Sequence, residues 1–549
     1  MTLKLALSTL SIAVGLALVG CGGSGSTSND ASTVSTTGEL ADTQTIVINN
    51  GAEPETLDPQ KAKGVGESNI LRQMLVGLTD SDKDGKTVPG MATEWSSPDN
   101  KVWTFKLRDA KWSNGDPVTA HDFVYSFRRL TDPSNTSDYA TYLVGLKVLN
   151  AEAINAGKAK TETLGVKALD DKTLQITLTE PVPYLPDAMF HSSVMPVHQK
   201  SVEAHGDKFT SPGNFVVNGP YNIKDWKINE KIVLERNTAY FDDANTTINE
   251  VTFLAIPQAT TDVARYKAGE VDITYEELPP EQFEQLKAEL GSQVNVQPRL
   301  CTYYYEFNHT KPPFNDVRVR KALALAMDRE TITDKILRQG QTAAYQYVPT
   351  FTQGMKNFTP EWQSWDRDKR IAEAKKLLTE AGYSQSNPLK FELLYNTNEN
   401  HRTLAVAVAS FYKDALGFVD ISLANQEWKT YLDNRSKQNF QMARGGWCAD
   451  YNEPSSFLLT FTSGSGNNNG KYKNAEFDKL LNQTLDANIT PEQRGELYRQ
   501  AEAVLDKDAS TIFVYHYTAP RLVKPYVAGF SESDAMNFYH VKDLKILKH

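Results

Sequence analysis

The stretch Arg444-Gly445-Gly446-Trp447-Cys448-Ala449-Asp450-Tyr451-Asn452-Glu453-Pro454 places a guanidinium, an indole, a cysteine and a carboxylate within seven residues. A ligand with one positive and one negative end needs such a set: an anion for its ammonium, a cation for its carboxylate and an apolar wall between. Gly445 and Gly446 carry no Cβ and let another backbone approach closely. Far upstream, Leu300-Cys301-Thr302-Tyr303-Tyr304-Tyr305-Glu306 offers a second cysteine beside an aromatic run that reads as a strand.

Outward from this stretch, the amino-terminal end reads as an export signal. Lys4 precedes an apolar run from Leu5 to Leu18, interrupted by Ser8, Thr9, Ser11 and Gly15. The run is too short to span a bilayer as a helix and suits the h-region of a signal peptide. Leu18-Val19-Gly20-Cys21 looks like a bacterial lipobox, which makes residues 1–21 a signal and Cys21 the lipidated first residue. An ordinary cleaved signal with an incidental cysteine is the alternative. Residues 22–43 are rich in Gly, Ser, Thr and Asp. They bury too little apolar surface to offset the entropy of ordering. Such a tether has a mean reach of about 25 Å.

The net charge of −10 and the lack of a basic cluster with interleaved aromatics argue against a nucleic-acid partner. No later segment reaches the length of uncharged apolar sequence that a membrane-spanning helix needs. Of the three cysteines, lipidation of Cys21 leaves Cys301 and Cys448. In an oxidising compartment these two are candidates for a disulfide, with buried free thiols as the alternative.

The remaining chain is too long for one core, so more than one domain is expected. Thr45–Ile48 and Trp103–Leu107 read as strands, the second alternating as a half-buried one. Turn chemistry around Val216–Tyr221 precedes a strand-like Ile232–Glu235, and helical patterns cover Asp316–Ala326, Lys369–Ala381 and Pro491–Leu505. Asp80–Gly85 imitates half of a calcium loop, but the position that needs a bidentate glutamate is Met91; a polar hairpin turn is expected. Gly-x-Ser-x-Gly, His-Glu-x-x-His, Walker A and Cys-x-x-Cys motifs are absent from the sequence. Trp95, Trp103 and Trp112 are expected in a core.

Separate phrases point to one family. They include Gly77-Leu78-Thr79, Pro89-Gly90-Met91-Ala92, Leu107-Arg108-Asp109-Ala110-Lys111-Trp112-Ser113-Asn114-Gly115-Asp116-Pro117-Val118-Thr119-Ala120, and Pro312-Pro313-Phe314-Asn315-Asp316-Val317-Arg318-Val319-Arg320-Lys321-Ala322-Leu323. With Arg444–Pro454 they resemble the extracytoplasmic solute-binding family for peptides and nickel, from about Ile46 to His549. The resemblance implies an α/β fold of the periplasmic-binding-protein type with mixed sheets. Two lobes close on a cleft and an extra domain makes three domains. Domain I would comprise residues 44–74, 199–300 and 519–549, domain II residues 75–198, and domain III residues 301–518.

The resemblance also implies roles. Asp450 would bind the α-amino group of a peptide and Arg444 its carboxylate, with His401 and Arg435 reaching longer ligands; helix N-capping is the ordinary alternative for Asp450. Lys63-Gly64-Val65 and Gly445-Gly446-Trp447-Cys448 would pair with the peptide backbone by strand addition. Tyr139, Tyr304, Trp428, Trp447 and Tyr517 would line the cleft, with core packing as the alternative for each. Three positions depart from the family pattern: Lys63 stands for an acid, Leu337 with Arg338 for a lysine, and Arg299 for a tyrosine. The added positive charge suggests tolerance of acidic peptides.

The implied function is a lipid-anchored receptor that captures short peptides in extended form and delivers them to the permease and ATPase subunits of an ABC importer. It would be a monomer in the periplasm, anchored to the inner or outer membrane, or on the outer face of a Gram-positive cell membrane. It would carry out no catalysis and need no cofactor. Alternatives are a murein-tripeptide receptor on the same scaffold, a nickel or haem binder, a peptidase, and a chaperone or adhesin.

Overall fold

The computed structural model describes residues 38–549 apart from Glu532. The export signal, Cys21 and most of the expected tether lie outside the described residues.

Three sheets of four or more strands organise the described chain. In the first, Thr45–Asn49 runs parallel to Glu250–Leu254, followed by antiparallel Lys231–Arg236 and Tyr221–Lys227. The second is antiparallel, in the order Ala92–Ser96, Val102–Leu107, Thr173–Thr177, Val166–Asp170. Trp103, Phe105 and Leu107 are buried while Thr104 and Lys106 are not, the alternation expected of a one-sided strand. The third sheet has six strands, in the order Thr342–Ala343, Thr511–Leu522, Val294–Phe307, Met442–Cys448, Leu389–Asn396, Val419–Gln426. Its first four strands pair antiparallel and its last two join on in parallel, so the sheet is mixed.

Helices begin where the sequence supplies caps. The Asp316 side chain accepts from Arg318 N ahead of Val317–Ala326. Thr490 and Gln493 form a reciprocal capping box ahead of Pro491–Lys507, with proline in the first turn where its missing N–H costs nothing. The helix expected near residues 369–381 runs Arg367–Glu380. Asp80–Gly85 lies in a hairpin between Thr79–Ser81 and Thr87–Pro89, and Met91 is fully buried. Trp103 and Trp112 are buried and Trp95 packs partly buried against the same cluster. No helix among the described residues is long and apolar enough to cross a membrane.

The expected domain limits at residues 300 and 518 fall inside two continuous strands, Val294–Phe307 and Thr511–Leu522. These pair antiparallel from Val294–Leu522 to Glu306–Thr511, and the ladder is irregular between Pro298 and Thr302. Proline lacks the N–H a ladder needs, which accounts for an interruption there. On the other side of Val294–Phe307, Cys301 lies opposite Cys448 with Cα atoms 4.0 Å apart, and the two sulfurs are bonded. Tyr303 and Tyr305 bury into one apolar cluster with the helices Val317–Ala326 and Glu399–Leu416, while Tyr304 turns to the other cluster with Tyr347 and Phe513. The two-residue period of a strand imposes that division.

Candidate functional site

A cavity forms where the helix Val65–Met74, the strand Met442–Cys448 and the loop after it, and the start of the helix Glu399–Leu416 converge. Arg444, Gly446 and Cys448 project on one face of their strand, opposite Tyr305, Tyr303 and Cys301. The chain leaves the strand at Cys448, and Asp450 follows with its N–H donating to Ser456 Oγ at 2.7 Å. Asp450 caps no helix; Pro454 holds that place before Ser455–Leu458.

The Asp450 carboxylate is buried, with 8% of its surface exposed. Tyr139 Oη donates to its Oδ1 at 3.3 Å and His191 Nε2 lies 3.3 Å from the same oxygen. His191 Nδ1 accepts from Ser193 N, which places the ring proton on Nε2. Burial drives the His191 pKa down to about 3, so it reaches Asp450 as a neutral donor. Among the described residues no Lys or Arg pairs with Asp450. Burial raises its pKa to about 8, opposed only by the Tyr139 bond. Both donors converge on Oδ1 and leave Oδ2 to the cavity.

Arg444 Nη2 donates to Tyr517 Oη at 2.6 Å, and the guanidinium lies 4.9 Å from the centre of the Tyr303 ring. It has no carboxylate partner among the described residues, and its Nε has no acceptor. His401 is buried nearby with Nδ1 unpartnered; burial and the Arg444 charge hold it neutral. A Cβ at Gly446 would sit 3.1 Å from Arg444 Nη2 and 3.2 Å from Tyr517 Oη. A Cβ at Gly445 would fall within the Tyr304 ring. Close approach rather than backbone angle thus calls for glycine at 445, while at 446 a side chain would crowd Arg444 and Tyr517 by a few tenths of an ångström.

The cavity brings together Asp450, Arg444, Gly446, Trp447 and Cys448 with Lys63, Val65, Tyr139, His401, Trp428 and Tyr517. A second cavity adjoins it at Trp447 and Asp450. Two of the expected residues are not in the cavity wall. Arg435 is held by Glu306, Nε to Oε1 at 2.5 Å, because a buried guanidinium needs a counter-charge. Tyr304 lies on the opposite face of its strand, packed edge-on against Tyr347.

The three departures from the family pattern do not leave free cations in the cleft. Lys63 Nζ is 2.5 Å from Asp138 and donates to Ser436 Oγ at 3.1 Å. Arg299 is salt-bridged to Glu276, which Arg521 and Asn537 also reach. Leu337 is buried in a core and Arg338 turns its Nη2 toward Pro280 O at 3.5 Å. At Lys63 and Arg299 the added charge is thus paired with Asp138 and Glu276.

Several wall residues had no signal in the sequence. Glu67 is buried, accepts from Glu55 N at 2.7 Å and lies 3.4 Å from Trp428 Nε1. Glu277 accepts from Asn398 Nδ2 at 2.6 Å. Burial raises the pKa of both. His191 and Arg72 complete the group. Glu67 meets Trp428, Glu277 meets Asn398 and His191 meets Asp450 across more than a hundred residues of chain, so no local spacing marks them. No grouping of His, Cys, Asp and Glu among the described residues could hold a metal ion.

The model of the bacterial extracellular solute-binding proteins, family 5, matches residues 86–469. This chain belongs to that family. The chain is 53% identical to the periplasmic oligopeptide-binding protein OppA of Salmonella typhimurium over 512 residues, covering 93% of this chain and 94% of the relative. The Haemophilus influenzae OppA complex with the peptide RPPGFSPFR superposes with a TM-score of 0.91 at 49% identity, over 93% of this chain and 100% of that one. The Escherichia coli murein tripeptide binding protein MppA, 41% identical, superposes with a TM-score of 0.91 over 93% of this chain and 100% of that one. Its unliganded open form reaches only 0.66 over 93% of this chain and 99% of that one. The fold is that of the periplasmic binding proteins, and the arrangement of the lobes is far from the open one.

Proposed function

We propose that the protein captures short peptides in extended form and delivers them to an ABC importer. The observation that carries this reading is the Asp450 carboxylate: buried, without a cationic partner and open to the cavity at Oδ2. A ligand ammonium supplies the missing charge through a charge-assisted hydrogen bond. Arg444, which has no carboxylate partner among the described residues, offers its charge to a ligand carboxylate in the same cavity, with His401 beside it. The backbone of Gly445–Cys448 and of Lys63–Val65 serves the peptide main chain, so side-chain identity matters little to affinity. The relatives named above for peptide binding support the reading, and those relatives are receptors rather than enzymes. Their periplasmic names support the same compartment here.

Capture needs no covalent step. The ligand shifts an open–closed equilibrium by its better contacts with the closed form. Three domains with the expected limits, and a hinge at the Pro298–Thr302 interruption, suit that motion. In an oxidising compartment the Cys301–Cys448 bond persists, and Cys21 carries the lipid that holds the receptor at a membrane.

The test is calorimetric titration of ligand-free protein with trialanine and with N-acetyl-trialanine. Tight binding of the free amine alone supports the reading and the Asp450 anchor; equal binding of both removes the anchor. A murein tripeptide is the second reading, favoured by the equal superposition on its receptor. It predicts binding of that tripeptide and none of trialanine.

A further inference from the structure

Arg72, in the last turn of the helix Val65–Met74, is 3% exposed and lines the cavity. None of its guanidinium nitrogens donates a hydrogen bond to any described residue; Nε and Nη1 are fully enclosed without an acceptor. It forms no ion pair. The nearest acids are engaged elsewhere: Asp80 lies 3.2 Å from His540 Nε2, and Asp534 accepts from Met536 N and Phe538 N. One face of the guanidinium covers the Phe538 ring at 3.5 Å, which leaves the in-plane N–H groups to find acceptors.

Other buried arginines of this protein show what a structural role looks like. Arg329 donates to the carbonyls of Ala344, Phe513 and Ala324, and Arg320 to those of Ala509, Phe314 and Asp508. Neither lines the cavity. Nη2 is the nitrogen that the protein does not enclose, and a buried cation with unused donors is costly, so the acceptor for Nη2 comes from what fills the cavity. Burial lowers the Arg72 pKa only to about 10, and the group stays charged. The Phe538 ring under Arg72 packs edge-on against Phe190, the chain neighbour of His191, and His191 reaches Asp450, so Arg72 lies toward the amine anchor.

We propose that Arg72 is a carboxylate subsite of the cavity, so that the receptor favours ligands with a second carboxylate close to the amino terminus. The inference rests on the peptide reading and deepens it. It replaces the paired Lys63 and Arg299 with a cation that has no internal partner. The carboxylate comes either from an acidic side chain or from the α-carboxylate of a γ-linked glutamate in a murein peptide; the chemistry at Arg72 is the same.

The test is calorimetry of ligand-free protein with trialanine, with peptides carrying Glu or its isostere Gln at each position in turn, and with an Ala-γ-D-Glu-containing tripeptide. In the wild type at least one Glu peptide, or the γ-linked one, should bind about tenfold or more tightly than its uncharged twin. Arg72→Gln should remove that difference while trialanine still binds, and Arg72→Lys should retain part of it. A gain confined to the γ-linked peptide names murein as the source. Equal binding of acidic and amide twins at every position, or a difference that survives in Arg72→Gln, overturns the subsite. If Arg72→Gln fails to fold by thermal melting, the wild-type comparison and Arg72→Lys decide. Failure of every peptide, trialanine included, removes the peptide reading and the subsite with it.

Discussion

His191 Nε2 lies 3.3 Å from Asp450 Oδ1 and brings no charge with it. The neutral imidazole orients the carboxylate without neutralising it, because Ser193 fixes the tautomer from the far side of the ring. A lysine or arginine in that place would satisfy Asp450 internally and leave nothing for a ligand ammonium. Burial therefore keeps a proton on Asp450 near neutral pH, and an incoming ammonium takes the place of that proton.

Asp450→Asn should weaken free-amine peptides by about 3–5 kcal/mol, the usual cost of removing one partner of a buried charge pair. The affinity of an N-acetylated peptide, already weak, should hardly change. Calorimetry of both ligands against both proteins checks this, and an unchanged free-amine affinity would place the anchor elsewhere.

Ligand capture should release protons near neutral pH. The ligand-free Asp450 pKa of about 8 leaves it mostly protonated at pH 7, and a bound ammonium favours the carboxylate. Calorimetry in phosphate and in Tris should give enthalpies that differ by the buffer ionisation, with up to one proton released. The same shift has a sign for stability. The folded carboxyl keeps its proton above the unfolded value of 3.8, so ligand-free stability falls as pH rises from about 4 to about 8. Glu502, raised to about 7 by burial, acts in the same direction. Urea midpoints should therefore be higher at pH 5.5 than at pH 8, and Asp450→Asn should flatten the slope.

Lys63 ties together residues that are distant in the chain: Asp138 at 2.5 Å and Ser436 at 3.1 Å. Thr260–Glu399, Asn398–Glu277 and Trp428–Glu67 are similar crossings around the cavity. Lys63→Met should loosen closure and raise the peptide dissociation rate about fivefold, the equivalent of ~1 kcal/mol for a partly exposed ion pair. Stopped-flow displacement of a labelled peptide measures it; an unaltered rate would make the contact incidental.

The Cys301–Cys448 bond closes a loop spanning 147 residues. In the chain-entropy model a loop of that size constrains the unfolded state by up to about 5 kcal/mol. The Cys301→Ser, Cys448→Ser double variant should melt at lower temperature than the oxidised protein and match the reduced wild type. Coincident melts of all three would show that the strand pairing alone holds this junction.

Sequence by itself determined the family and hence the fold, because local phrases such as Leu107–Ala120 and Arg444–Pro454 survive as contiguous text. It also marked Asp450, Arg444 and the two glycines, whose chemistry is concentrated in one short strand and its exit. Tertiary structure decided which of the other candidates meet. Arg435 and Tyr304 are turned away, the first by Glu306 from a distant strand and the second by alternation along its own. Lys63 and Arg299 read as free positive charge until their partners Asp138 and Glu276 come within reach. Arg72 reads as one more helical arginine until its surroundings prove to hold no acceptor. The physical reason is common to all of these. A residue type is encoded where it stands, but whether its charge is met depends on groups that only folding brings within a few ångströms.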